Sequence, residues 1–189
     1  MENESECGVR RVDHCGSTYH TGRVELEQQN ENVRTIRYDA RYRGDFIALN
    51  EAWIEHYFVI EEMDRIQLDN LEDHILKPGG DILFVLVGDV CVGTVALIPM
   101  KPGTVELAKM AITDGYQGRG LGNLLMKETI ARAREMGADT IYLRSNTIME
   151  TAIHLYRKYG FRTTRLGSDP EYERCNIEME MDLTKSGTF

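Results

Sequence analysis

Between a β-branched stretch and a long amphipathic segment the chain reads Gln117-Gly-Arg-Gly-Leu-Gly122, and no other run limits the fold so much. A turn set directly after a strand and before a helix leaves the N–H groups of the first helical turn without intrahelical partners. Gly118, Gly120 and Gly122 permit positive φ and close approach of a ligand to the backbone. The helix dipole adds partial positive charge at the same place, which suits a diphosphate. A P-loop is excluded because no Gly-Lys-Ser/Thr follows. A dinucleotide fingerprint is excluded because the run misses the third glycine's spacing, no Gly occurring at Leu124 or Leu125. A glycine-rich turn that merely starts a helix is the plainer alternative.

The segments on either side set the architecture. Val33–Tyr38 reads as a first strand. From Asp45, Phe46, Leu49, Trp53, Tyr57 and Ile60 recur at helical spacing. Asp69-Asn-Leu-Glu72 has the form of a capping pair, predicting a second helix that Pro78-Gly-Gly80 ends. Asp81–Val87 and Val90–Met100, separated by Gly88-Asp89, predict a hairpin, and Thr104–Thr113 the next strand. A long helix then runs to Met136, where Gly137 stops it. Thr140–Asn146 predicts a short strand, and Thr147-Ile-Met-Glu150 a capping box for a helix ending at Gly160. Phe161–Leu166 and Tyr172–Leu183 close the chain as strands. Strand, turn, helix and strand around the glycines imply one right-handed parallel crossover in an otherwise antiparallel sheet. The expected class is α+β (mixed α/β), with about seven strands and about four helices.

With 189 residues, 42% of them hydrophobic and 28% charged, the chain suits one globular domain. Residues 1–32 lack an apolar period and are expected to be a poorly ordered extension; the domain is expected over 33–184, with 185–189 as a tail. The longest apolar run, near Ile82–Val87, is too short to cross a bilayer. The polar, acidic start (Met1-Glu-Asn-Glu-Ser-Glu) has no basic-then-apolar pattern, so a cytoplasmic location without membrane attachment is expected. A net charge of −9 argues against nucleic acid as a partner and is compatible with a cationic acceptor. The four cysteines, Cys7, Cys15, Cys91 and Cys175, form no CxxC pair. Cys7, His14, Cys15 and His20 match no usual zinc spacing, so no metal is expected.

Residues 104–161 resemble the core of the GNAT acyltransferase superfamily. Its Gln/Arg-x-x-Gly-x-Gly/Ala signature is matched by Gln117, Gly120 and Gly122, and Ala152-Ile-His-Leu-Tyr156-Arg-Lys-Tyr-Gly160-Phe161 is similar to its helix-then-strand ending. The two motifs stand in the right order, one helix and one strand apart. The resemblance implies a GNAT-like fold whose strand before the cradle is bulged and splays from its parallel neighbour. It implies acetyl-CoA as acyl donor, with its pantetheine arm on the backbone of Met110, Ala111, Ile112 and Thr113. Its pyrophosphate would lie on the amides of Gln117, Gly118, Arg119, Gly120, Leu121, Gly122 and Asn123. Asn146 stands where some members place an amide against the cofactor arm; a plain strand-end turn is the alternative. Tyr156 stands where many members keep a general acid, with core aromatic as the alternative. Homodimers are common in the family.

Amine acetylation also needs a proton acceptor, because an amine of pKa about 10.4 is neutral only about once in 10³ molecules at pH 7. Glu106 is the candidate by its place in Glu106-Leu-Ala-Lys-Met110, against a strand carboxylate merely paired with Lys or Arg. Trp53, Tyr57, Phe58, Glu61, Glu62, Tyr172, Arg174 and Asn176 are candidates for the acceptor pocket. Glu61 and Glu62 suit an ammonium group or merely a solvated helix face, and Arg174 suits an acceptor carboxylate. The expected function is transfer of acetyl from acetyl-CoA to a primary amine, small molecule or protein lysine, by direct attack in a ternary complex. A non-catalytic acyl-CoA sensor, transfer to oxygen and longer acyl chains are the alternatives.

Overall fold

The computed structural model describes residues 32–170 and 172–185. Residues 1–31 of the expected extension, with Cys7, His14, Cys15 and His20, lie outside these, as do residues 186–189 of the expected tail. The strands are β1 (Val33–Arg37), β2 (Asp81–Val87), β3 (Val90–Lys101), β4 (Thr104–Ile112), β5 (Thr140–Ser145), β6 (Arg162–Leu166) and β7 (Ile177–Asp182). They form one seven-stranded sheet in the order β1-β2-β3-β4-β5-β7-β6. Every pairing is antiparallel except β4 with β5. The helices are α1 (Arg43–Tyr57), α2 (Glu62–Asp69), α3 (Leu121–Glu135) and α4 (Glu150–Lys158), with a π-helical turn at Glu72–Leu76. The mixed α/β class, with its single parallel pair, is as the sequence implied.

Helices cover both faces of the sheet, which is why β2 reads as a continuous apolar run rather than an alternation. Leu83 and Val85 pack with Leu125, Met126, Ile130 and Ala133 of α3 and Ile153 and Tyr156 of α4. Ile82, Phe84 and Leu86 point the other way, against Phe46 and Ile54 of α1, Leu68 of α2 and Ile75. At the sheet end remote from the glycines, the buried Asp81 carboxylate takes Arg37 at 2.7 Å and Arg132 at 2.6 Å, joining β1, β2 and α3.

Four local expectations are corrected. The first helix stops at Tyr57 instead of running on to Ile60, because Phe58 is extended (φ −148°). The helix expected from Asp69 forms as the π-helical turn Glu72–Leu76, and an unexpected helix, α2, precedes it and ends at Asp69. The start of α2 is Glu62, where the Asp64 carboxylate accepts from the Glu61 amide at 3.2 Å, a cap that serves the preceding turn. Thr147 does not cap α4. Its amide donates to Asn176 Oδ1 at 2.8 Å, the Ile148 amide is taken by Asn146 Oδ1 at 3.0 Å, and the helix opens at Glu150. Finally, the last strand begins at Ile177, and residues 172–176 form a loop that crosses the sheet end.

The functionally decisive distortion is in β4. Ala108 faces Ala96 and Ala111 faces Thr94, so Lys109 and Met110 together oppose the single residue Val95. Lys109 adopts φ 54°, the left-handed region that a β-carbon disfavours. The extra residue shifts the side-chain parity. Met110 and Ile112 join Val105 and Leu107 on the α3 face, while Lys109 turns to Asp64 on α2.

Gly80 sits where the π-helical turn meets β2, its amide bonded to Ile75 O at 2.9 Å. A β-carbon there would collide with the backbone carbonyl oxygens of Ile75 and Leu97. Gly80→Ala is therefore expected to cost about 3 kcal/mol, the upper end of overpacking penalties, read as a lower urea midpoint at unchanged slope.

Candidate active site

The strand-to-helix turn is braced from below by Gln117, whose Nε2 donates to Ile112 O at 3.1 Å and to Asp114 Oδ1 at 2.9 Å. Gly118 and Gly120 follow with φ of 74° and 82°, and Gly120 is the N-cap of α3. Asn123 and Leu124 donate back to Gly120 O at 3.0 and 3.1 Å. The amides of Gly120, Leu121 and Gly122 have no backbone acceptor among the described residues. They open into a groove of about 710 Å³ lined by Met110–Ile112, Gln117, Gly118, Gly120–Asn123 and one face of α4. Lys158 at 2.5 Å and Tyr159 at 3.1 Å fasten the end of α4 to Asn123. The Arg119 guanidinium lies 4.8 Å over the Tyr116 ring.

The groove exists because β4 and β5 part company. They pair only at Thr104–Thr140, Val105–Ile141 and Glu106–Tyr142, after which β4 stays with β3 and β5 with β7. From Leu107 onward the β5-facing edge of β4 has no strand partner, so its backbone is free to pair with an extended ligand.

Past the apex of this split lies a second, smaller cavity of about 130 Å³. It shares Trp53, Met110, Met149, Ala152 and Tyr156 with the groove, so these five residues form the junction. Tyr156 is buried, packed at 5.7 Å against Phe161, and its hydroxyl makes no hydrogen bond among the described residues. Burial pushes its phenol up to about 12, so it holds its proton at neutral pH.

The inner cavity is ringed by ion pairs. Glu106 accepts from Arg144 Nε at 3.1 Å. Asp64, fully buried behind the wall, takes Lys109 Nζ at 2.7 Å and Arg174 through both guanidinium nitrogens at 2.5 and 2.7 Å. Glu61 binds Arg174 at 3.0 Å and the amides of Glu173 and Arg174, latching the 172–176 loop to α2. Burial raises the Asp64 carboxyl, but the hydrogen bonds from Arg174 and Lys109 and the charge of Lys109 outweigh it and hold Asp64 below the usual aspartate range. The Tyr172 ring lies under Arg144, Arg174 and Lys109 at 4.7, 4.9 and 5.9 Å. Cys175 also lines the cavity, but burial pushes its thiol up to about 11, too high for a thiolate relay.

The residues singled out in the sequence are thus distributed unevenly. Trp53, Phe58, Glu106, Asn146, Tyr156, Tyr172 and Arg174 line the inner cavity, and Tyr57 lines the groove. Glu61 is committed to the loop latch, Glu62 is exposed, and Asn176 holds the turn after β5 through Thr147. Asn146 bridges to Arg174 O at 2.5 Å. Sequence reasoning missed Asp64, Lys109 and Arg144. Lys109 is the single charge between Glu106 and Asp114 in an apolar strand, which was the one available signal.

The family model for the acetyltransferase (GNAT) family matches residues 46–161. The chain belongs to the GNAT family. An uncharacterized N-acetyltransferase of Bacillus subtilis is 31% identical over 90 residues, which is 48% of this chain and 58% of that protein. The chain thus spans little more than half the length of that relative. A GNAT acetyltransferase structure from Staphylococcus aureus superposes with a TM-score of 0.72 at 25% identity, covering 80% of this chain and 99% of that one. One from Salmonella typhimurium, solved with its cofactor acetyl-CoA, gives 0.67 at 19% identity over 83% and 97%.

GNAT proteins use acetyl-CoA. A β-carbon on Gly118 or Gly120 would meet no protein atom within 4 Å, so that side of the turn is open. Among the described residues no group of His, Cys, Asp and Glu could hold a metal, and no helix is long and apolar enough to cross a membrane.

Removing Asp64 leaves the buried Lys109 ammonium unpaired and Arg174 with Glu61 alone, so Asp64→Ala is expected to destabilise by about 3–5 kcal/mol. Because Asp64 titrates below its unfolded value of 3.8, its contribution is complete above that pH and is lost as the pH falls through the lower folded-state value. Urea titrations at pH 7 and pH 3 should show a smaller loss on acidification for Asp64→Asn than for the parent chain.

Proposed function

We propose that this GNAT protein transfers the acetyl group of acetyl-CoA directly to the nitrogen of a primary amine. The observation that carries the reading is the position of Tyr156, buried at the one junction between the diphosphate groove and the inner cavity. Acetyl-CoA supplies an activated acyl group on sulfur. The amides of Gly120–Gly122 and the open edge of β4 hold its diphosphate and arm, so the thioester falls near Tyr156. An amine in the inner cavity attacks the carbonyl carbon; a C–N bond forms and the C–S bond breaks. Tyr156 gives its proton to the departing sulfur, and the proton shed by nitrogen passes to Glu106, directly or through water. Arg144 fixes the Glu106 carboxylate in the cavity wall. The high pKa of Cys175 supports direct transfer over a covalent relay.

Tyr156→Phe should lower kcat at least tenfold while calorimetry finds acetyl-CoA affinity unchanged; near-parental turnover would remove Tyr156 from the mechanism. Gly120→Val, by forcing a side chain into the cradle at positive φ, should weaken acetyl-CoA binding at least tenfold. Firm binding of acetyl-CoA with no amine-dependent CoA release would make the protein a sensor instead.

A further inference from the structure

Resting on that reading, we infer that the acceptor is a small amine carrying its own carboxylate, which sits against Lys109, Arg144 and Arg174. These three cations arrive from the β4 bulge, from β5 and from the 172–176 loop, and all line the inner cavity. Of the described carboxylates paired with them, Glu106 lines the cavity, and Asp64, Glu61 and Asp169 lie outside the lining. Cationic side chains thus outnumber carboxylates in the described lining, while the carboxylates behind it balance their charge.

The donors also have capacity left. Lys109 can donate three hydrogen bonds and makes one, to Asp64, although its side chain is 7% exposed. The Nε of Arg174 has no acceptor among the described residues, while its two terminal nitrogens are engaged by Asp64 and Glu61. These unused N–H groups can take a further anion without giving up Asp64 or Glu61. The bulge at Lys109, with φ 54°, keeps that side chain off the α3 face and among the residues that line the cavity. The cavity is small, about 130 Å³ against about 710 Å³ for the groove, which favours a compact acceptor. The cationic wall also disfavours protonation of an amine brought beside it, which helps the nitrogen attack.

The test is a matched panel assayed by CoA release at saturating acetyl-CoA: β-alanine against propylamine, 4-aminobutyrate against butylamine and 1,4-diaminobutane. The expected result is at least a tenfold higher kcat/KM for the carboxylate member of each pair, reduced to within about threefold in Lys109→Met. Equal or faster turnover of the uncharged-tail amines or the diamine overturns the inference and leaves amine acetylation standing. If no amine is turned over although acetyl-CoA binds, the transfer reading fails. The anion site is then read separately by thermal unfolding of the parent chain with CoA. Stabilisation by butyrate but not by butylammonium upholds the site, and no difference between them overturns it.

Discussion

The active-site region depends on a parallel strand pair that holds for three residues and then separates. If β4 and β5 continued together past Glu106 and Tyr142, their backbone groups would satisfy one another and the sheet would close. The bulge at Lys109 and Met110 bends β4 away, keeps it paired with β3, and leaves one edge open. The groove and the inner cavity beyond it are the two sides of that split. The glycine turn at its mouth belongs to the same arrangement, since Gln117 ties it back to the end of β4 through Ile112 O.

The same bulge organises the charges. A regular strand would place Lys109 on the apolar α3 face, where a cation could find no partner at acceptable cost. Displaced by one residue, it meets Asp64, which also holds Arg174 and so joins β4, α2 and the loop before β7. Such a buried network is weak evidence for stability but a strong constraint on geometry, because each member is costly to leave unpaired. The walls of the inner cavity are set by ion-paired side chains on one side and by Trp53 and Phe58 on the other.

How much of this could be read from the residues depends on the range of the interaction involved. The hairpin through Gly88-Asp89, the α3 helix after the glycines and its stop at Gly137 follow from neighbours in sequence, and each formed as expected. The α2 helix was missed because Asp69-Asn-Leu-Glu72 and Glu61-Glu-Met-Asp64 are both plausible caps, and local chemistry does not rank them. Glu61 is selected by a loop more than a hundred residues away, whose amides and guanidinium it binds. Tyr172–Asn176 reads as strand by composition, but its backbone and side chains are spent on Ser145, Asn146 and Asp169 instead of on a ladder.

The sequence alone therefore determined the family, the mixed sheet, the glycine turn and Tyr156 as the residue to examine, since all of these are carried by contiguous motifs. Only the tertiary structure decided which charged side chains meet. Asp64, Lys109, Arg144 and Arg174 come from four separate elements and have no common spacing that a linear reading could detect. The physical reason is that helical and turn propensities act over a few residues, whereas the partner of a buried charge is chosen by whatever the folded sheet brings within about 3 Å of it.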